Sequence, residues 1–154
     1  MFSNIIIGFL IPWIFGLYLI RKAPVVILIT LPIASLVALL INIFGFHLNF
    51  WSFTPFISGE ESMSVLPMDL GLYPVISCYM IHWIRISQIN HVVILFVVIT
   101  FTTFLEYLTL LMGKASYSNS WNIYWTFISY LLAYGIVYVY YRILYKQHRL
   151  IRIP

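Results

Sequence analysis

Charge is what this sequence lacks most. Only 8% of its 154 residues are charged, eight basic and four acidic, while 63% are apolar, and mean hydropathy is +1.01. A soluble domain is about 25% charged, and so few charges cannot coat a globule of 18.1 kDa. A soluble monomer is excluded. Disorder is excluded too, because disordered chains are polar and poor in aromatics, and aromatics here make up 19%. Cysteine is nearly missing: Cys78 stands alone in an apolar stretch. It permits no intrachain disulfide and names no redox compartment; it reads as a buried, inert thiol. HEXXH, GXSXG, CXXC and P-loop patterns are absent as well, which weighs against the familiar hydrolase and nucleotide chemistries. No catalytic, cofactor-binding or metal-ligating residue is assigned, and no cofactor is expected.

What is present is a series of apolar runs, and these predict an all-α, polytopic transmembrane bundle of about five helices in a single domain, 1–154. A helix needs about 20 apolar residues to cross the hydrocarbon core. The runs are Ile5 to Ile20, Val25 to Phe46, Met68 to Ile84, Val92 to Met112 and Asn122 to Leu144. The first is followed by Arg21 and Lys22, the reverse of a secretory signal, and is expected to be an uncleaved span. Between the second and third runs, His47 to Pro67 carries Phe50, Trp51, Phe53 and Phe56 together with Glu60 and Glu61. So many aromatics predict an outer loop lying along the membrane surface or folding back over the helix ends.

Orientation comes from the basic residues. Arg21, Lys22, Arg85, Arg142, Lys146, Arg149 and Arg152 fall on one side and Lys114 on the other, so the positive-inside rule predicts N-out and C-in. The same placement explains the net charge of +4 and pI of about 9.3 without a nucleic-acid partner. The expected partners are the lipid bilayer and other membrane-protein subunits, or a second copy.

Intramembrane ionisable residues are candidate sites by default, and there are few. Glu106 lies about 9 Å from the end of its run at 1.5 Å per residue. Thr102, Thr103, Thr109 and Gly113 share its face, a stripe suited to close helix contact and interhelical hydrogen bonds. In such surroundings Glu106 is expected to be protonated and to hydrogen-bond to a neighbouring helix. Asp69 opens the third run, where the helix dipole favours a carboxylate. It falls in the same outer half, which makes a polar cluster of Asp69, Tyr73, Glu106 and Asn122 the leading candidate site. His82 and His91 lie at the inner end and read as interfacial. Tyr130, Tyr134 and Tyr138 recur at four-residue steps, continued by Tyr141 and Tyr145, and read as a packed helix-interface face.

At these residues the second half resembles a family of small multi-pass membrane proteins of unknown function from endospore-forming Bacilli and Clostridia. The stretches that carry it are LPMDLGLYP at 66–74, FLEYLTLLMG at 104–113 and YSNSWNIYWTFISY at 117–130. The resemblance implies four or five helices and a bacterial cell membrane, cytoplasmic or spore inner. It also implies recurring polar and aromatic positions at Asp69, Glu106, Trp121 and Asn122. It carries no reaction with it.

Three functions fit these features. The first is a non-enzymatic membrane protein that packs with other membrane proteins or lipids, possibly associated with sporulation. The second is a small ion-, proton- or solute-handling protein that uses Asp69 and Glu106. The third is a membrane-embedded lipid-modifying enzyme, placed last because no nucleophile or phosphate cradle is visible.

Overall fold

The computed structural model describes residues 5–53 and 61–146, and almost all of them are helical. A π-helical turn, Ile6–Leu10, runs directly into α1, Ile11–Lys22. Helix α2 is Pro24–His47 and is followed by a short strand, β1, Trp51–Phe53. A short helix, α3, Glu61–Pro67, leads through a second π-helical turn, Met68–Leu72, into α4, Tyr73–Ile86. Helix α5 is His91–Leu111, strand β2 is Ala115–Tyr117, and α6 is Ile123–Lys146. Phe56, Glu60, Arg149 and Arg152 lie outside the described residues.

Four stretches are long and apolar enough to cross a membrane: Pro24–His47, Ser64–Ile86, His91–Leu111 and Ile123–Lys146. The N-terminal turn of five residues and α1 of twelve form a shorter rod, about 25 Å at 1.5 Å per residue. The outside of the bundle is apolar where a soluble protein would be charged. Leu28 is 74% exposed, Phe96 60% and Leu111 66%. This is the build of a small multi-pass membrane protein.

Helix α4 is the central post. Cys78, Met80 and Ile81 have no exposed surface and pack with Leu19, Ile27, Ile99, Tyr134 and Val137 from four other helices. Each π-helical turn immediately precedes a proline near the start of the next helix, Pro12 and Pro74. Proline has no N–H to give, and its ring crowds the carbonyl four residues back. A widened turn relieves that crowding. The two turns also pack against each other through glycine: a Cβ on Gly71 would lie 2.2 Å from the Gly8 carbonyl oxygen and 2.7 Å from Phe9 Cα. Trp13 Nε1 donates to Leu70 O at 3.1 Å across the same contact.

The strands are what hydropathy does not reveal. β1 follows α2 and β2 joins α5 to α6, and they pair antiparallel with Trp51 opposite Tyr117, Ser52 opposite Ser116 and Phe53 opposite Ala115. Side chains alternate faces along a strand. Trp51, Phe53 and Ala115 are therefore buried against the bundle, while the Ser52 and Ser116 hydroxyls meet at 2.8 Å on the far face. Asn49 and Asn119 take positive φ, 54° and 48°, a conformation that asparagine tolerates better than most residues. Asn119 Nδ2 donates to Leu48 O at 2.8 Å, and Ser118 Oγ donates to Asn49 O. The expected aromatic loop thus forms, in its described part, a two-stranded clamp across one end of the bundle.

Candidate functional site

Beneath that clamp lie two carboxyl groups in separate hydrogen-bond networks. Glu106 is reached from three hydroxyls. Tyr117, on β2, donates to Oε1 at 2.7 Å; Tyr130, on α6, donates to Oε2; and Thr126, also on α6, stands 3.4 Å from Oε1. Thr126 Oγ1 is 2.7 Å from the Tyr117 hydroxyl and accepts from Trp121 Nε1 at 2.9 Å. An indole can only donate, so this series points its protons toward Glu106. On the other flank the Tyr130 and Tyr73 hydroxyls are 3.2 Å apart. Glu106 does bond to a neighbouring helix, as its intramembrane position suggests.

Tyr117 lies outside the helices, and its phenol is pushed up from its usual range, first by burial and then by the nearby Glu106 charge. A phenol held neutral remains a donor.

Asp69 sits apart from this network. It is fully buried in the second π-helical turn, where Asn42 Nδ2 donates to its Oδ1 at 2.7 Å and Oδ2 has no hydrogen-bond partner. Asn42 Oδ1 in turn accepts from Trp51 Nε1 at 3.2 Å. Among the described residues, the side chains bonded to Asp69 and those bonded to Glu106 are different. Asn122 is not in the cluster either: it is exposed, and its Oδ1 accepts from Tyr124 N at 3.0 Å and Trp125 N at 3.3 Å. That is helix capping, which satisfies N–H groups left free at the start of α6. Of the four residues grouped from the sequence, Tyr73 and Glu106 are joined through Tyr130. Asp69 is held separately by Asn42, and Asn122 has a different task.

The threonine stripe beside Glu106 divides in the same way. Thr103 and Thr109 return their hydroxyls to carbonyls of their own helix. Only Thr102 reaches across, to Tyr134 at 2.8 Å. Down α6, Tyr130 meets Glu106, Tyr134 meets Thr102, and Tyr138 meets His91 Nδ1 at 3.0 Å. The tyrosine face is turned toward α5 at each of these steps. Arg142 stands over the Tyr138 ring at 5.9 Å, and His91 is tied to this ladder.

A cavity of about 40 Å³ opens between α2, α4 and α6, against about 10–15 Å³ needed to admit one water. Glu106, Tyr73, Tyr130, Thr126 and Asn42 form its polar wall, and Trp51 and Phe53 of β1 lie over it. Small residues, Ala34, Ala38, Ser77, Ser129 and Ala133, leave the space. Asn42 and Thr126 escape a reading of hydropathy because each is a single polar side chain within an apolar or aromatic run, and Trp51 and Tyr117 because only the pairing of β1 with β2 places them here. Among the described residues no three histidine, cysteine or carboxylate side chains come together as a metal-ligating group.

Comparison with known protein families, curated proteins and solved structures finds no match to this chain.

Proposed function

We propose that this protein handles a small solute or a proton within the membrane, at the cavity on whose wall Glu106 is held. One observation carries the reading: the Glu106 carboxyl is oriented by hydroxyls of its own chain, Tyr117 and Tyr130, and lines a space large enough for water. A carboxyl kept only to join subunits would point outward to a partner. Asp69, bonded to Asn42 behind the cavity wall, then does not act jointly with Glu106. The direct test is flux. Liposomes containing the wild-type protein should pass protons or a small cation, and the Glu106→Gln variant should not. Equal flux in both, or none in either, contradicts the reading.

A second reading, packing with other membrane proteins or with itself, is favoured by the outward faces of α5 and α6. Phe96, Phe104 and Leu132 are each more than half exposed there, and lipid or a partner helix would cover them. Crosslinking in the native membrane distinguishes the two coverings. A bacterial cytoplasmic or spore inner membrane as the location rests on the resemblance of residues 66–74, 104–113 and 117–130, and the N-out, C-in orientation rests on the basic residues.

A further inference from the structure

The cavity has two chemically different ends. On α6 its lining runs from Thr126 to Val137, and on α2 from Asn42 to Ala34, about 16 Å and 12 Å at 1.5 Å per residue. It therefore reaches from the clamped end toward the middle of the spans. Its upper part holds Glu106, Tyr73 and Tyr130, while its lower part is Ala34, Val37, Ala38, Ala133 and Val137 with Tyr134, whose hydroxyl is taken up by Thr102 at 2.8 Å.

The polar end is rich in acceptors. Ser77 Oγ donates to Tyr73 O at 2.9 Å and Ser129 Oγ donates to Thr126 O at 2.8 Å, so each hydroxyl has its proton committed and turns lone pairs to the space. Glu106 adds carboxyl oxygens with acceptor sites beyond those its tyrosines occupy. Among the described residues, no basic side chain lines the cavity. Trp51, Phe53, Tyr73 and Tyr130 also line the cavity, and aromatic rings attract cations.

Resting on the solute-handling reading above, we propose that the cavity binds a primary ammonium group carrying a short apolar tail. The ammonium lies at Glu106 and the tail points down toward Ala133 and Val137. An ammonium brings three donors and one positive charge, which matches the acceptor-rich, singly acidic end. The tail displaces water from an apolar slot that offers water few partners.

The probe is n-butylammonium, titrated calorimetrically into the full-length protein in nanodiscs, with n-butanol as its neutral isostere. Saturable binding of the amine at least tenfold tighter than of the alcohol is expected. Glu106→Gln should remove that preference while the helical circular dichroism is unchanged, and Ala133→Leu, which fills the slot, should weaken both ligands. Equal binding of amine and alcohol overturns the proposal, as does the absence of saturable binding to the folded wild type. If flux depends on Glu106 while butylammonium fails to bind, the ligand class is wrong and solute handling stands. If flux is also absent, both fall.

Discussion

Trp51 and Trp121 meet edge to face with ring centroids 4.9 Å apart, and each sends its indole N–H into a different carboxyl network. Trp51 donates to Asn42, the partner of Asp69, and Trp121 donates to Thr126, beside Glu106. Phe50 stacks on Trp121 at 4.6 Å and extends the cap. One aromatic contact thus joins the two polar layers that hydrogen bonds leave separate.

That contact predicts coupling. Trp51→Leu and Trp121→Leu each remove the aromatic ring together with one indole hydrogen bond, the latter worth about 0.5–1.5 kcal/mol. The double variant should depart from additivity by about 0.5–1.5 kcal/mol, the range for a specific aromatic pair. Reversible unfolding in mixed micelles measures all three. Strict additivity would show that the two networks are independent.

Glu106 should tolerate an amide and not a hydrocarbon. Glu106→Gln keeps an oxygen for Tyr117 or Tyr130 and should fold. Glu106→Leu leaves both phenols without their acceptor and should lose about 0.6–2 kcal/mol, the span for interhelical hydrogen bonds in membranes. Equal unfolding midpoints for the two variants would contradict this.

Most of the helical fold was legible because hydropathy marks long runs, and all four crossing-length helices coincide with apolar runs in the sequence. The clamp was not. Its strands are three residues each, separated by a whole helix hairpin, and neither Trp51-Ser52-Phe53 nor Ala115-Ser116-Tyr117 is long enough to show alternation. Glu106 and Tyr73 could be picked out because a carboxyl and a phenol stand out at matching depth. Tyr117 and Thr126 could not, since only the β2 register and the first turn of α6 bring them to Glu106. Asn122 was misplaced for the opposite reason: depth alone put it in the cluster, whereas its position just before a helix marks a cap.

Tyr117 should make stability alkali-sensitive. Its phenol is raised in the folded chain by burial and then by Glu106, while the unfolded phenol titrates near about 10. The neutral phenol's contribution is therefore complete below about pH 10 and is lost as pH rises toward the folded value. Wild type should lose more stability than Tyr117→Phe between pH 8 and 11, so the gap between them narrows. A constant gap would mean that Tyr117 is not shifted.

Helix packing at the π-helical turns sets a further expectation. Gly71→Ala places a methyl 2.2 Å from the Gly8 carbonyl oxygen, a backbone clash that rotamers cannot relieve, and overpacking of this kind costs about 1–3 kcal/mol. Gly135→Ala meets nothing within 4 Å and should be neutral or stabilising by up to about 1 kcal/mol, as alanine is the better helix former. Thermal unfolding of the two variants side by side gives the contrast, and a tolerated Gly71→Ala would refute the close crossing.

The central claim, a water-reachable cavity beside Glu106, is tested most directly by cysteine accessibility. The single native cysteine, Cys78, is fully buried, so background labelling should be low. Ser129→Cys and Ala133→Cys place thiols on the cavity lining, and Leu132→Cys places one on the outer face of the same helix, where Leu132 is 58% exposed. In proteoliposomes treated with a water-soluble thiosulfonate, the account predicts labelling of Ser129→Cys and Ala133→Cys and none at Leu132→Cys, where lipid prevents thiolate formation. Silence at both cavity positions, or equal labelling at all three, would contradict it.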